Sequence, residues 1–193
     1  MHMILINNIQ KYVSLNNTEI NEVHKVFQYE SVKRGGILAE AGSISHYQYF
    51  VVEGCLKLFY PGAEGKDHIL YFLPAQWWAG DLYSYFHQTP SQLVTQAIID
   101  TNILKIKRND FDHLLQEFPI FEIFFRKIYQ NALAAQHKKT IESLSLTAKE
   151  RYLQFIRDFP IVANNVPLKD IASYLGISPE YLSRLRNSIS LNG

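Results

Sequence analysis

The chain of 193 residues contains a single cysteine, Cys55. One thiol excludes an intrachain disulfide, an all-thiolate zinc site and a cysteine-held iron–sulfur cluster. Cys55 sits in the apolar run FVVEGCLKLFY, so it reads as a buried structural residue. A dominant charge sign is also missing. Nineteen Lys and Arg stand against 18 Asp and Glu, a net charge of +1, which is no whole-chain signature for nucleic acid. No apolar stretch reaches the roughly 20 residues of a membrane helix, and no N-terminal apolar run resembles a signal peptide. The expectation is a soluble cytoplasmic protein without a membrane partner. The 7 His are scattered with no His-x-His pair, and no nucleophile elbow, P-loop or dinucleotide fingerprint is present. Neither an enzyme nor a bound cofactor is expected.

What is present is organised in two textures. Asn17-Thr18-Glu19 opens a helix within 4–28. From Tyr29 to about Lys107, short apolar runs alternate with turns such as Lys33-Arg34-Gly35-Gly36 and Pro61-Gly62-Ala63-Glu64-Gly65. Residues 48–52, 56–60, 68–72, 96–99 and 102–106 read as strands, and their close spacing suggests a sandwich or barrel. Aromatic residues, 12 Tyr and 12 Phe among them, favour such a sheet core. After Lys107 the period turns helical. A helix begins at Pro119, with Phe121, Phe125, Ile128, Ala132 and Ala135 on one stripe. That stripe suits either packing on the barrel or a seam between two subunits.

The stretch from Pro167 to Arg186 has the spacing of a helix-turn-helix. Ile171, Ala172 and Leu175 give the first helix an apolar face, with Ala172 small where two helices cross. Gly176 stands at the turn, Ile177 plugs the core beneath it, and Ser178-Pro179 caps and starts the second helix. Leu182 and Leu185 point back inward. Pro179, Glu180, Tyr181, Ser183, Arg184 and Arg186 are left outside. Arg184 suits a guanine edge and Glu180 a cytosine amino group, while Lys169, Ser178 and Arg186 suit phosphates. The local charge agrees: from His137 onward 8 Lys and Arg face 5 Asp and Glu, net +3, leaving −2 for the rest. Double-stranded DNA is the expected partner; the competing reading is a small-molecule-binding or protein-interaction module whose C-terminal helices do not read DNA.

The order of these parts resembles the Crp/Fnr family of bacterial transcription regulators. The likeness is carried by KRGGILAEAG at 33–42, YFVVEGCLKL at 49–58, Gly80-Asp81-Leu82 and DIASYLGISPEYLSR at 170–184. It implies an α+β chain: a jelly-roll sensor domain like the cyclic-nucleotide-binding fold at 1–117, a dimerisation helix at 118–143, and a helix-turn-helix domain at 144–193 without room for a full wing. It also implies a homodimer on a pseudo-palindromic operator, with RNA polymerase as a further partner. Glu180 and Arg184 match the family's base-reading pair; Pro179 stands where the family usually has an arginine.

The resemblance places the ligand cassette at Gly80, Asp81 and Leu82, closing at Ser91 and Gln92. Nucleotide-binding members have an arginine where Ser91 stands. No Lys or Arg occurs between Asp81 and Ile103. Burying a cyclic phosphate against an aspartate without a cation is unfavourable, so cyclic AMP is not the expected effector. A neutral or aromatic effector, no effector, and a partner protein all remain open.

Overall fold

The structure is a computed structural model in which residues 1–190 are described. Two helices lead the chain, α1 (His2–Gln10) and α2 (Asn17–Val26). Eight strands follow: β1 (Gln28–Val32), β2 (Ile37–Ala39), β3 (Tyr47–Glu53), β4 (Cys55–Pro61), β5 (Asp67–Pro74), β6 (Trp78–Ala79), β7 (Val94–Ala97) and β8 (Thr101–Lys107). A short helix, α3 (Leu82–His87), lies between β6 and β7. The rest is helical: α4 (Arg108–Glu117), α5 (Pro119–Ser145), α6 (Ala148–Asp158), α7 (Pro160–Asn165), α8 (Leu168–Leu175) and α9 (Pro179–Ser190).

The strands pair antiparallel in two four-stranded sheets, in the orders β1-β8-β3-β6 and β2-β7-β4-β5. This is the expected jelly roll. Strands β3 and β4 are apolar at nearly every position because both of their faces are covered. Along β3, Tyr49 and Val51 point between the sheets, joining Leu56, Leu58 and Ile103. Phe50 and Val52 point the other way, onto Phe111, Phe121, Phe124 and Phe125 of α4 and α5. Cys55 and Phe59 of β4 face outward onto α6–α9, where Tyr152, Phe155, Ile171 and Leu182 close a third core. Cys55 is fully buried, and burial pushes its thiol up to about 12.

The tight β3–β4 turn rests on Gly54 at φ +94°, where a Cβ would lie 2.6 Å from the Asp100 carbonyl. The cap of α2 sits one residue earlier than expected. Asn16 accepts from the Glu19 backbone while Glu19 accepts from the Asn16 backbone. Two other boundaries also move. Helix α5 runs to Ser145, two residues past the expected 143, and the helix-turn-helix unit opens with α6 followed by the separate α7, started by Pro160. The long α5 spans about 40 Å at the α-helical rise.

The apolar stripe on α5 splits. Phe121 and Phe125 are buried in their own barrel, and Ile128 packs against the same core. The apolar residues left outside are Ile123, Leu133, Ile141 and Leu144, from 38% to 84% exposed. They fall within an arc of about 80° at α-helical spacing. The wing question concerns residues after Ser190, outside the described ones.

Candidate functional site

The turn between α8 and α9 follows from its residues. Gly176 adopts φ +68°, the left-handed conformation that L side chains rarely enter. The Ile177 N–H reaches back to the Ala172 carbonyl at 3.0 Å. Ser178 caps α9, its Oγ accepting from the Tyr181 N–H at 3.1 Å. Ile171, Ala172, Leu175, Leu182 and Leu185 are buried between the two helices and α6. The opposite face of α9 is open: Pro179, Glu180, Tyr181, Ser183, Arg184 and Arg186 are all exposed, as are Lys169 and Ser178. The eight residues named as DNA contacts are therefore all open to solvent. The Glu180 carboxyl is held below its usual range by its own backbone N–H and by the Ser178 hydroxyl. It is thus an acceptor at neutral pH.

The helical pair is tied to the outer sheet by groups that sequence reasoning did not single out. Lys57 on β4 donates to Asp170 Oδ2 of α8 at 3.1 Å, with Asp67 Oδ2 at 3.6 Å, and both Lys57 and Asp170 are buried. The Ser173 hydroxyl accepts from the Ile69 N–H at 3.0 Å and donates to the Asp67 carbonyl at 2.7 Å. Tyr174 packs among Phe72, Phe155 and Phe159. Lys139 of α5 caps this contact, 3.9 Å from the Tyr174 ring centre and donating to the Leu70 carbonyl. Burial lowers its amine to about 8. One side chain thereby joins α5, β5 and α8. A signal for these contacts was missing because each pairs residues far apart in sequence.

In the cassette segment, Asp81 is a helix cap. Its Oδ1 accepts from the Tyr83 and Ser84 N–H groups at 3.0 and 3.2 Å, starting α3. Its Oδ2 accepts from the Ser91 hydroxyl at 2.7 Å. The acid that opens the cassette is thus closed on the serine standing where an arginine was sought. Ser91 is buried and also accepts from the Leu93 N–H; Gln92 is exposed. Arg108, which lies against Tyr85 and Phe86 of α3, is engaged by Asp112 and the Tyr85 carbonyl.

Gly80, Asp81 and Leu82 line a cavity of about 340 Å³, while Ser91 and Gln92 do not. Its floor is sheet: Leu58, Tyr71, Leu73 and Ala79. Trp77, Trp78 and Tyr83 form one wall, and Ile128, Tyr129, Ala132 and Ala135 of α5 form the roof. Gln48 at the back bonds the Tyr129 hydroxyl through both amide atoms, at 2.8 and 3.0 Å. The Tyr71 hydroxyl donates to Gln136 Oε1. Burial raises the phenols of both Tyr71 and Tyr129, so they stay neutral. The roof is the part that sequence reasoning missed; Ala132 and Ala135 read there as a packing stripe.

Among the described residues, no cluster of three or more His, Cys, Asp and Glu suits a metal ion, and no helix is long and apolar enough to cross a membrane.

The family model of the cyclic nucleotide-binding domain matches residues 29–118, which contain all eight strands but for the first residue of β1. No curated protein sequence matches. Solved structures do. FixK2 from Bradyrhizobium japonicum is 22% identical with a TM-score of 0.69, covering 87% of this chain and 86% of that one. A Crp/Fnr-family transcriptional regulator from Eubacterium rectale superposes with a TM-score of 0.72 at 16% identity, covering 93% and 85%. The catabolite activator protein of Thermus thermophilus gives 0.56 at 19% identity over 93% and 86%. Residues 29–118 are therefore similar to a cyclic nucleotide-binding domain, and the chain as a whole has the fold seen in the Crp/Fnr regulators.

Proposed function

We propose that this chain is a homodimeric transcription regulator that binds double-stranded DNA through α9. The observation that carries the reading is the outward face of α9, where Glu180 and Arg184 stand one turn apart over a buried leucine anchor. The arginine fork suits the two acceptors of a guanine, and the ionised glutamate accepts from a cytosine amino group. Lys169, Ser178 and Arg186 are exposed on the same helix pair and suit phosphate contacts. The β-rich unit at 1–117 acts as sensor, the helix at 118–143 as the dimer element, and 144–193 as the DNA-reading unit. The exposed Ile123, Leu133, Ile141 and Leu144 are the face on which a second copy of α5 packs. A regulator of this kind works beside RNA polymerase in the cytoplasm and catalyses no reaction.

Nothing in the cavity balances a cyclic phosphate, and Asp81 is already bonded to Ser91. The sensor therefore works without cyclic AMP. Titration of duplex DNA at several salt concentrations tests the DNA-binding reading. Affinity falls steeply with salt, and Arg184→Ala costs about 1–3 kcal/mol on a specific site. Equal affinity for specific and random duplex, indifferent to Arg184, contradicts it.

A further inference from the structure

We infer that the cavity under α5 binds a small, uncharged aromatic molecule, and that this molecule is the effector sensed by the β-rich unit. The inference deepens the sensor part of the reading above and rests on that reading only for its regulatory meaning. Three features of the cavity carry it.

The first is charge. No Lys, Arg or His lines the cavity, and its one charged group is Asp81. All of the carboxylate's bonds go to Tyr83, Ser84 and Ser91, so it offers an anion repulsion and no partner. The second is the state of the polar walls. Gln48 and Tyr129 satisfy each other, and the Tyr71 hydroxyl is taken by Gln136. A ligand that demands strong hydrogen bonds from Gln48, Tyr129 or Tyr71 would have to break these pairs, whereas an apolar one leaves them intact; of the lining side chains, the Trp78 indole N–H is buried without a partner. The third is shape. Trp77, Trp78, Tyr71 and Tyr129 present ring surface, while Ala132 and Ala135 leave open space on the α5 side. Ring faces of this kind favour stacked or edge-on aromatic guests.

Position gives the consequence. The floor belongs to β4 and β5 with Ala79 of β6, and the roof to α5. Strand β5 also carries Ile69, which bonds Ser173 of α8, and Leu70, which bonds Lys139 of α5. A molecule filling the cavity sits between the barrel and the helix leading to the DNA-reading unit. Its occupancy therefore biases the seat of α8 and α9 on the sheet.

The test uses the full chain and a neutral fluorescent probe, N-phenyl-naphthylamine. Both Trp residues of the chain, Trp77 and Trp78, line the cavity, so energy transfer from them reports binding there. The expected result is saturable binding, displaced by neutral naphthol. Naphthalenesulfonate, the same ring with an anion, and cyclic AMP displace the probe more weakly by about tenfold or more. Ala132→Trp fills the cavity and abolishes binding; should that variant fail to fold, Ala135→Leu is read instead and weakens it. The inference is overturned if the anions compete as well as naphthol. It is equally overturned if probe binding survives a folded cavity-filling variant. Arg184→Ala leaves probe binding unchanged, so loss of DNA affinity in that variant bears on the DNA reading alone. Probe binding without any effect on DNA affinity leaves the pocket standing and removes its regulatory role.

Discussion

A lysine on the outer face of a sheet ordinarily keeps its ammonium in water. Lys57 has it buried against Asp170, 113 residues further on. Such a pair contributes little net stability against an apolar replacement, but removing one partner strands the other charge. Asp170→Ala therefore costs about 3 kcal/mol or somewhat less, since Asp67 stays beside the lysine. In a thermal melt this is a drop of about 6–10 °C for a chain of this size. The double variant Lys57→Met, Asp170→Leu recovers most of it. If the two changes are simply additive, the pair is not coupled as described. At the same scale, the cassette shows how one residue's role turns on its neighbours. Asp81 has the position of a ligand-binding acid and the bonds of a helix cap. The missing cation was legible from the sequence; the Asp81–Ser91 bond was not, because it depends on how the chain between them folds into α3.

At the scale of elements, the parts governed by local rules were legible. The turn of the helix pair was written in Gly176, Ser178 and Pro179, whose conformational demands are their own. Strands β3, β4, β5 and β8 were legible because covering both faces leaves continuous apolar runs. Strand β1 was not. It lies at a sheet edge with the sequence QYESV, and only Val32 is buried. Strands β2 and β6 are too short to carry a pattern, and α3 has six residues of mixed character. The α5 stripe was visible, but the sequence does not say what it faces. Packing assigns its aromatic part to the barrel and leaves a second apolar face outside. On the proposed dimer, Leu133→Glu with Leu144→Glu places like charges along that face. Both residues are exposed within one chain, so each subunit keeps its fold. Sedimentation then gives a monomer with greatly weakened DNA affinity. A wild-type chain that is monomeric at micromolar concentration, with or without DNA, contradicts the seam.

At the scale of the whole molecule, four layers stack in order. Helices α1, α2, α4 and α5 lie on the first sheet, the second sheet lies beneath it, and α6–α9 lie on the second sheet's outer face. The cavity lies against the second sheet and α5, close to the contacts that seat α8. A change felt at the roof therefore has a short mechanical route to the proposed DNA-reading face, through Lys139, Tyr174 and Ser173. Two copies joined along α5 would set their α9 helices into successive major grooves, about 34 Å apart. The most direct measurement of this account is selection of bound duplexes from a random pool by the full chain. The account predicts enrichment of a pseudo-palindrome with half-sites one helical turn apart, lost with Arg184→Ala. A pool that stays random after repeated rounds, or an enriched site that Arg184→Ala retains unchanged, would contradict it.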